Sequence, residues 1–229
     1  MKAIILAGGR GERLRPITDK IPKPLIPINN VPLIERSIKY LKKYGINEII
    51  ISSGYKSNKI ESFLKKKKNF GCRIIFSIEK TPLGTGGAIK KALKHVDEES
   101  FLVLNGDVVT NIDLRKILKK PNTIAANELK TKFGTMNIKN NKVLKFNEKK
   151  DLVDVWMNPG IYHLSKNIDR ITPKKGSLEG IVFPKMAKNK TLRVVKFKNV
   201  LWFSIDSHKD IKECSKEIKS KKYHKYFKY

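Results

Sequence analysis

The stretch KAIILAGGRGERLRPITDKIPKPL, residues 2–25, restricts the fold more than any other part of the chain. It opens with an apolar run, residues 2–6, which predicts a buried strand, and continues into a glycine-rich loop. Glycines let the backbone approach a ligand and point N–H groups at phosphate oxygens, and Arg13 and Arg15 add charge-assisted donors. The patterns GxxxxGK[ST] and GxGxxG are not completed, since Leu14 stands at the third glycine of the latter. The stretch predicts a phosphate-binding loop after a strand.

A lysine at the end of this stretch is held by its neighbours. Lys23 lies between Pro22 and Pro24, whose rings restrict the local backbone. A cation with a restricted position close to a glycine-rich loop favours phosphate binding.

Strand and helix patterns alternate through the first half of the chain. The predicted strands are residues 2–6, 48–52, 73–78 and 101–104, and the predicted helices are residues 32–44, 58–67 and 86–95. The second half has closely spaced strand patterns, which indicate antiparallel additions: residues 123–128, 134–138, 143–147, 155–164, 192–197 and 201–205, with helices at 177–188 and 207–219. We therefore predict an α/β fold, a three-layer, mostly parallel Rossmann-like sheet with antiparallel additions. Ligands of such sheets bind beyond the carboxyl ends of the strands.

Length and composition favour one globular domain over residues 1–229, since 40% of the residues are hydrophobic. No apolar run reaches the roughly 18 residues of a membrane span. The amino-terminal run is interpreted as a strand and not as a signal peptide, so we expect a cytoplasmic protein with no membrane partner. Two distant cysteines and four scattered histidines predict neither a disulfide framework nor a zinc site.

The formal charge of +29 raises the possibility of nucleic-acid binding. The lysine run at residues 65–68 has no interleaved aromatic residues, whereas the basic tail, residues 221–229, mixes lysines with tyrosines and a phenylalanine. Neither matches a nucleic-acid motif. We interpret the excess as a solvated lysine surface that attracts phosphorylated substrates, with no specific nucleic-acid partner. A nucleic-acid binder stays an alternative.

The segment LAGGRGERLRPITDKIPKPL, residues 6–25, resembles the signature of the sugar-phosphate nucleotidyltransferases. The resemblance continues through PLGTGGA, NGD, FNEK and NPGIY, at residues 82–88, 105–107, 146–149 and 158–162. It implies the GT-A-like nucleotidyltransferase fold without the family's carboxyl-terminal β-helix. It also implies transfer of a nucleotide from a nucleoside triphosphate to a sugar 1-phosphate, with release of pyrophosphate and with Mg²⁺ as cofactor. The guanylyltransferases for mannose or heptose 1-phosphate are the most similar branch, and uridylyltransferases stay an alternative. Assembly into a homo-oligomer is possible in such a family.

The resemblance assigns roles residue by residue. Arg13 and Lys23 match the catalytic cations, and Asp107 matches a magnesium ligand. The nucleotide side is assigned to Leu6, Ala7, Gly8, Gly9, Gly11, Gly84, Thr85 and Gly86. The sugar-phosphate side is assigned to Asn105, Glu148, Lys149, Asn158, Gly160 and Glu179.

One segment departs from the family pattern. The family carries an aspartate two residues after the tryptophan near its end, as a second metal ligand, and a glycine two residues later. Here Trp202 is followed by Ser204 at the aspartate position and by Asp206 at the glycine position. Residues two apart in a strand face the same side, so Asp206 is expected to reach the metal from a shifted position. The alternative is a catalytically silent homologue that binds nucleotide-sugars.

Overall fold

The computed structural model describes residues 1–130, 134–148 and 151–227. Within them the strands are β1 Lys2–Ala7, β2 Pro27–Ile28, β3 Val31–Pro32, β4 Glu48–Ser53, β5 Arg73–Ile78, β6 Ser100–Asn105, β7 Val108–Thr110, β8 Thr123–Lys130, β9 Thr135–Lys139, β10 Lys142–Asn147, β11 Asp151–Met157, β12 Ile161–Ser165, β13 Arg193–Phe197 and β14 Trp202–Ser204. The helices are α1 Ile17–Lys20, α2 Leu33–Lys43, α3 Ser57–Lys66, α4 Gly84–Ala92, α5 Leu114–Ile117, α6 Phe183–Lys188 and α7 His208–Lys219.

The main sheet has the strand order β11-β8-β12-β6-β1-β4-β5, and β13 pairs with β8. Strand β1 is parallel to both β4 and β6, and β4 is parallel to β5. The chain moves from β1 outward to β4 and β5 and returns to the other side of β1 as β6. This reversal leaves a crevice at the carboxyl ends of β1 and β6, where ligands of open α/β sheets bind. The predicted α/β class is confirmed.

The expected antiparallel additions are present in the second half. Strand β12 runs antiparallel to β6 and β8, β11 runs antiparallel to β8, and β9 pairs with β10 as a hairpin. The prediction of one continuous strand over residues 155–164 was wrong, because β11 ends at Met157 and β12 begins at Ile161. Pro159 lacks an N–H for the strand ladder, and Gly160 has a φ of +76°, which lies outside the range of a strand.

The core follows from the alternation of side chains along the central strands. Ala3 and Ile5 of β1 point into one buried cluster with α2 and α3, whereas Ile4 points into a second cluster with α4 and α6. Both faces of the sheet are therefore covered, as in a three-layer α/β domain. The predicted terminal helix is confirmed as α7, which begins with a capping box between Ser207 and Asp210.

The basic tail is partly built into the protein. Tyr223 is 9% exposed and belongs to a third core cluster, and Phe227 packs against the same cluster. The guanidinium of Arg36 lies 5.9 Å from the ring centroid of Phe227. These two rings are therefore poorly placed to stack with bases, because bases stack only on accessible faces. In the described part of the chain, no helix is both long and apolar enough to cross a bilayer.

Candidate active site

A two-part cleft lies at the carboxyl ends of β1 and β6. One part has a volume of about 440 Å³ and is lined by Leu6, Ala7, Gly9, Arg10, Gly11, Glu12, Arg13, Leu14, Lys23, Pro24, Gly106, Asp107 and Asp206. The adjoining part has a volume of about 290 Å³ and is lined by Leu6, Gly8, Gly9, Glu79, Pro82, Gly84, Thr85, Ala88, Asn105 and Asp107. The structure thus brings the glycine-rich loop, both predicted cations and both predicted metal ligands into one cleft.

The glycine-rich loop is shaped by a few close approaches. Gly11 has a φ of +66°, and a Cβ there would lie 3.1 Å from Cβ of Lys23. The hydroxyl of Thr18 donates to the Gly11 carbonyl at 3.0 Å. At Gly8, a Cβ would lie 2.8 Å from a carboxylate oxygen of Glu79. Glycine is therefore favoured at Gly11 by its positive φ, and at Gly8 any side chain would displace the carboxylate of Glu79.

Two cations and two carboxylates converge in the larger part of the cleft. Nζ of Lys23 lies 2.6 Å from Oδ2 of Asp107 and 2.9 Å from Oδ1 of Asp206. Nη2 of Arg13 lies 2.8 Å from the same Asp206 oxygen. The Lys23 side chain is 12% exposed, whereas that of Arg13 is 77% exposed. Lys23 is therefore fixed in the floor of the cleft, and Arg13 reaches in from its rim.

A two-stranded ribbon places the carboxylates side by side. Strands β7 and β14 are antiparallel, with Val108 opposite Ser204, and the Ile205 N–H donates to the Asp107 carbonyl at 3.0 Å. Asp107 precedes β7 and Asp206 follows β14, so both lie at the same end of the ribbon. The ribbon therefore brings Asp206 close to Asp107, and the role of Asp206 in binding metal stays a prediction.

Ser204 helps to lower the pKa of the Asp206 carboxylate. Its Oγ donates to Oδ2 of Asp206 at 2.7 Å. Burial alone would raise the pKa of Asp206, but the hydrogen bonds from Lys23 and Ser204 and the charges of Lys23 and Arg13 outweigh it, so the pKa lies below its usual value. Asp206 is therefore ionised at neutral pH.

The paired carboxylates suit a magnesium ion. Oxygens of Asp107 and Asp206 contact the same lysine nitrogen, so they face one small volume. Among the described residues, no group of three or more histidine, cysteine, aspartate or glutamate side chains is arranged to hold a metal ion. Mg²⁺ commonly takes one or two carboxylates and completes its shell with phosphate oxygens and water. The donor set present here fits that mode of binding.

Glu79 lies in the smaller part of the cleft and was missed by sequence reasoning. It follows β5, and its carboxylate accepts from the Leu83 N–H at 3.0 Å and from the Ser52 hydroxyl at 3.2 Å. A carboxylate has about four lone-pair sites, so acceptor capacity remains for a ligand. The available signal was its position at the carboxyl end of a parallel strand.

The backbone at the amino end of α4 is hydrogen-bonded to a distant segment of the chain. Gly84 and Thr85 line the smaller part of the cleft, but the Gly86 N–H donates to the Gly176 carbonyl at 2.9 Å. A Cβ on Gly84 would lie 2.6 Å from that carbonyl oxygen. The Gly86 N–H is therefore already engaged by a segment that is distant in sequence, and the assignment of Gly86 to the nucleotide side stays a prediction.

Asn158 and Glu179 belong to one partly buried hydrogen-bond network. The Asn158 amide donates to the Tyr162 hydroxyl at 2.9 Å, and that hydroxyl donates to Oε1 of Glu179 at 3.3 Å. The Thr85 hydroxyl donates to Oε2 of Glu179 at 2.5 Å. Burial, and then the charge of Glu179, raises the pKa of Tyr162 well above its usual value. The network joins the turn before β12 to the wall of the cleft.

The other predicted sugar-side residues have diverse positions. Gly160 leaves room for Asn105, since a Cβ at Gly160 would lie 2.5 Å from Nδ2 of Asn105. The side-chain amide oxygen of Asn105, Oδ1, is buried and has no hydrogen-bond partner among the described residues. Glu148 directly follows β10 and faces Gly134, where a Cβ would lie 3.1 Å from Oε2 of the glutamate. Lys149 lies outside the described residues.

Comparison with known proteins gives a consistent picture. The family model described as "Nucleotidyl transferase" matches residues 2–221. The chain is 40% identical to D-glycero-alpha-D-manno-heptose 1-phosphate guanylyltransferase of Aneurinibacillus thermoaerophilus over 73% of this chain and 76% of that protein. It is 44% identical to the Campylobacter jejuni protein of the same name over 73% and 77% of the two chains. It is 34% identical to the mannose-1-phosphate guanylyltransferase catalytic subunit beta of Xenopus tropicalis, of which it covers 62%.

The solved structures agree with these relatives. HddC from Yersinia pseudotuberculosis superposes with a TM-score of 0.75 at 31% identity and covers 95% of this chain and 99% of that one. A structure of HddC complexed with GMP-PN superposes with a TM-score of 0.71 at 29% identity, over 95% and 99% of the two chains. Family match, sequence relatives and solved structures together show that the chain belongs to the nucleotidyl transferase family.

Proposed function

We propose that the protein transfers a guanylyl group from GTP to a sugar 1-phosphate, with heptose 1-phosphate and mannose 1-phosphate as the preferred classes. The observation that carries the proposal is the convergence of Lys23 and Arg13 on the carboxylates of Asp107 and Asp206 in the cleft beside the glycine-rich loop. The similarity to guanylyltransferases for these two sugar phosphates supports the choice of substrates.

The reaction is an in-line displacement at phosphorus. A phosphate oxygen of the sugar 1-phosphate forms a bond to the α-phosphorus, and the bond from that phosphorus to the β-phosphate bridging oxygen breaks, which releases pyrophosphate. The attacking oxygen is already anionic near neutral pH, so the protein's task is to position the groups and to neutralise charge. Lys23 in the floor and Arg13 at the rim are placed to contact phosphate oxygens from two sides.

Magnesium is part of the proposal. Asp107 and Asp206 would hold the ion, and when bound it would neutralise negative charge on the phosphates. Lys23 lies between the same two carboxylates, so it keeps them close together when its ammonium group and the ion share the site. Ser204, through its bond to Asp206, orients the second carboxylate.

Glu79 supports guanine as the base. The guanine Watson–Crick edge presents two neighbouring N–H donors, which one carboxylate can accept together, whereas uracil presents a single N–H between two carbonyl oxygens. We expect Glu79→Gln to lower kcat/KM for GTP by roughly 10- to 100-fold, because a charge-assisted hydrogen bond contributes about 1.5–3 kcal/mol. The value for UTP should change much less. Glu48→Gln, at the opposite end of the sheet, is the control, and an equal loss for both nucleotides would count against a base contact.

Glu148 is proposed to contact the sugar. Its position directly after β10 and the similarity of residues 146–149 to the family's sugar-binding segment motivate this role. In Glu148→Gln we expect the KM for the sugar 1-phosphate to rise several-fold more than the KM for GTP, since a carboxylate accepts hydroxyl hydrogen bonds more strongly than an amide. Steady-state kinetics with each substrate varied in turn measures both values. Equal effects on the two substrates would assign Glu148 to another role.

A pyrophosphate-release screen tests the whole proposal. Four nucleoside triphosphates would be combined with a panel of sugar 1-phosphates in the presence of Mg²⁺. Activity with GTP and a heptose or mannose 1-phosphate is the expected result, and activity with UTP alone would favour the uridylyltransferase alternative. Binding of nucleotide-sugars without any turnover would instead favour the alternative of a catalytically silent homologue. A cytoplasmic location and assembly into a homo-oligomer stay predictions.

A further inference from the structure

A basic cavity of about 780 Å³ lies away from the active site. Its wall combines five cationic side chains, one carboxylate and several aromatic and amide groups: Lys43, Tyr44, Asn111, Asp113, Arg115, Lys116, Leu118, Lys196, Phe197, Lys198, Asn199, Val200 and Tyr226. None of these residues lines either part of the active-site cleft. The cavity is therefore a separate feature of the protein.

Three of the lysines in this wall lie over aromatic rings and not in ion pairs. Lys43, Lys116 and Lys196 have no acidic side chain within ion-pair distance in the described residues. Their ammonium groups lie over aromatic rings instead, at 5.7 Å from the centroid of Tyr226, 5.9 Å from Phe197 and 4.7 Å from Trp156. Rings hold the cations in place without cancelling their charge.

The nearby carboxylates are already engaged. The Asp113 carboxylate accepts two hydrogen bonds from the Arg115 guanidinium, at 2.9 Å from Nε to Oδ1 and at 2.8 Å from Nη2 to Oδ2. This pairing is the main reason why the pKa of Asp113 is lowered. Glu128 lies 3.3 Å from Lys198. In the active site, by contrast, both Lys23 and Arg13 contact carboxylates. The excess of unneutralised positive charge is therefore greater in the basic cavity.

The ribbon of β7 and β14 separates the two sites. Asp107 and Asp206 lie at one end, and Asn111, Asn199 and Val200 of the basic cavity lie at the other. Asn111 fixes that end, since its side-chain oxygen accepts from the Leu201 N–H at 2.8 Å and its own N–H donates to the Leu201 carbonyl at 3.3 Å. The floor of the cavity is thus ordered by hydrogen bonds.

We infer that the basic cavity binds a compact, multiply charged phosphate compound. Three lysines of the lining without an ion pair favour an anion with several charges, and Asn199 adds a polar group to the same lining. A nucleic acid strand is disfavoured, because it stacks successive bases on accessible rings, and in this wall Phe197 is 5% exposed and Tyr44 is half-buried, whereas Tyr226 is 36% exposed.

A second basic cavity supplies a matched control. Its volume is about 460 Å³, and its lining includes Lys94, Lys166 and Lys174. It has no aromatic residue in its wall. Lys90 and Asp169, which both belong to this wall, form an ion pair at 2.9 Å. Replacing these three lysines by glutamine changes the net charge as much as Lys43→Gln, Lys116→Gln and Lys196→Gln together.

The experiment is a calorimetric titration with inorganic tripolyphosphate in magnesium-free buffer. The background is Arg13→Ala with Lys23→Ala, which weakens anion binding in the active site, so the result does not depend on the proposed enzymatic function. We expect the background protein to bind tripolyphosphate, and the Lys43, Lys116 and Lys196 triple variant to bind at least about tenfold more weakly, since three charge-assisted contacts are lost. The control triple should bind within about twofold of the background.

Three results would overturn the inference. Absence of tripolyphosphate binding in the background protein would show that the basic cavity is not a phosphate site. An equal loss in both triple variants would mean that only overall charge matters. Tighter binding of a single-stranded oligonucleotide than of tripolyphosphate, abolished by the cavity triple variant, would make this surface a nucleic-acid site. Circular dichroism of each variant establishes that it is folded.

Discussion

Lys23→Ala is expected to lower kcat by roughly 30- to 1,000-fold, since removing one preorganised cation at a reacting phosphate costs about 2–4 kcal/mol of transition-state stabilisation. The Lys23 ammonium lies 2.6 Å from Asp107 and 2.9 Å from Asp206 in the floor of the cleft, so its position is fixed before a phosphate binds. Arg13→Ala should lower kcat in the same direction from the rim. Steady-state rates of pyrophosphate release measure both effects.

The control for Lys23→Ala is Lys20→Ala. It removes the same charge from an exposed side chain three residues earlier in the chain. Lys23→Met keeps the aliphatic stem and separates loss of charge from loss of packing. Thermal unfolding of each variant tests whether the fold is retained. Wild-type rates in a folded Lys23→Ala protein would remove the lysine from the catalytic machinery.

Asp206→Asn is expected to abolish magnesium-dependent turnover about as severely as Asp107→Asn. The two carboxylates face the same small volume, and either loss would leave the ion with too few anionic ligands. Rates measured over a magnesium titration should show that added ion restores little activity in either variant. A silent Asp206→Asn would show that the residue only ends the strand.

Ser204→Asp provides the complementary test. It returns a carboxylate to the position at which the family carries one, so we expect activity equal to or above that of the wild type. In the present chain the Ser204 hydroxyl donates to Asp206 at 2.7 Å, which makes the serine a support for the displaced carboxylate. A many-fold gain from Ser204→Asp together with a silent Asp206→Asn would identify the natural site as degraded.

The strands and helices of the first half were predictable, because their periodicity is local. Strand β5 was predicted over residues 73–78 and observed as Arg73–Ile78, and β4 differs from its prediction by one residue. The break between Met157 and Ile161 was missed, since apolar residues continue on both sides of Pro159 and Gly160. The short ribbon strand β7 was also missed, because three residues are too few to show a period.

The site divides in the same way. Gly11, Arg13, Lys23 and Asp107 could be named from the sequence, since they lie in continuous motifs whose spacing is specific. Glu79 could not, because a single glutamate after a strand is an ordinary feature until Gly8 is found to pack against it. The hydrogen bond from the Gly86 N–H to the Gly176 carbonyl could not be predicted either, because the two residues are distant in sequence.

By itself, therefore, the sequence determined the α/β class, the glycine-rich loop after β1 and the cations beside it, because each depends on periodicity or on neighbours in the chain. The tertiary structure alone decided that Asp206 meets Asp107, since their proximity requires β7 and β14 to pair across nearly half of the chain. It also decided which charges are neutralised: Lys23 is placed between two carboxylates, and Lys196 is placed over a ring. Charge compensation depends on distances of a few ångströms, and only folding sets those distances.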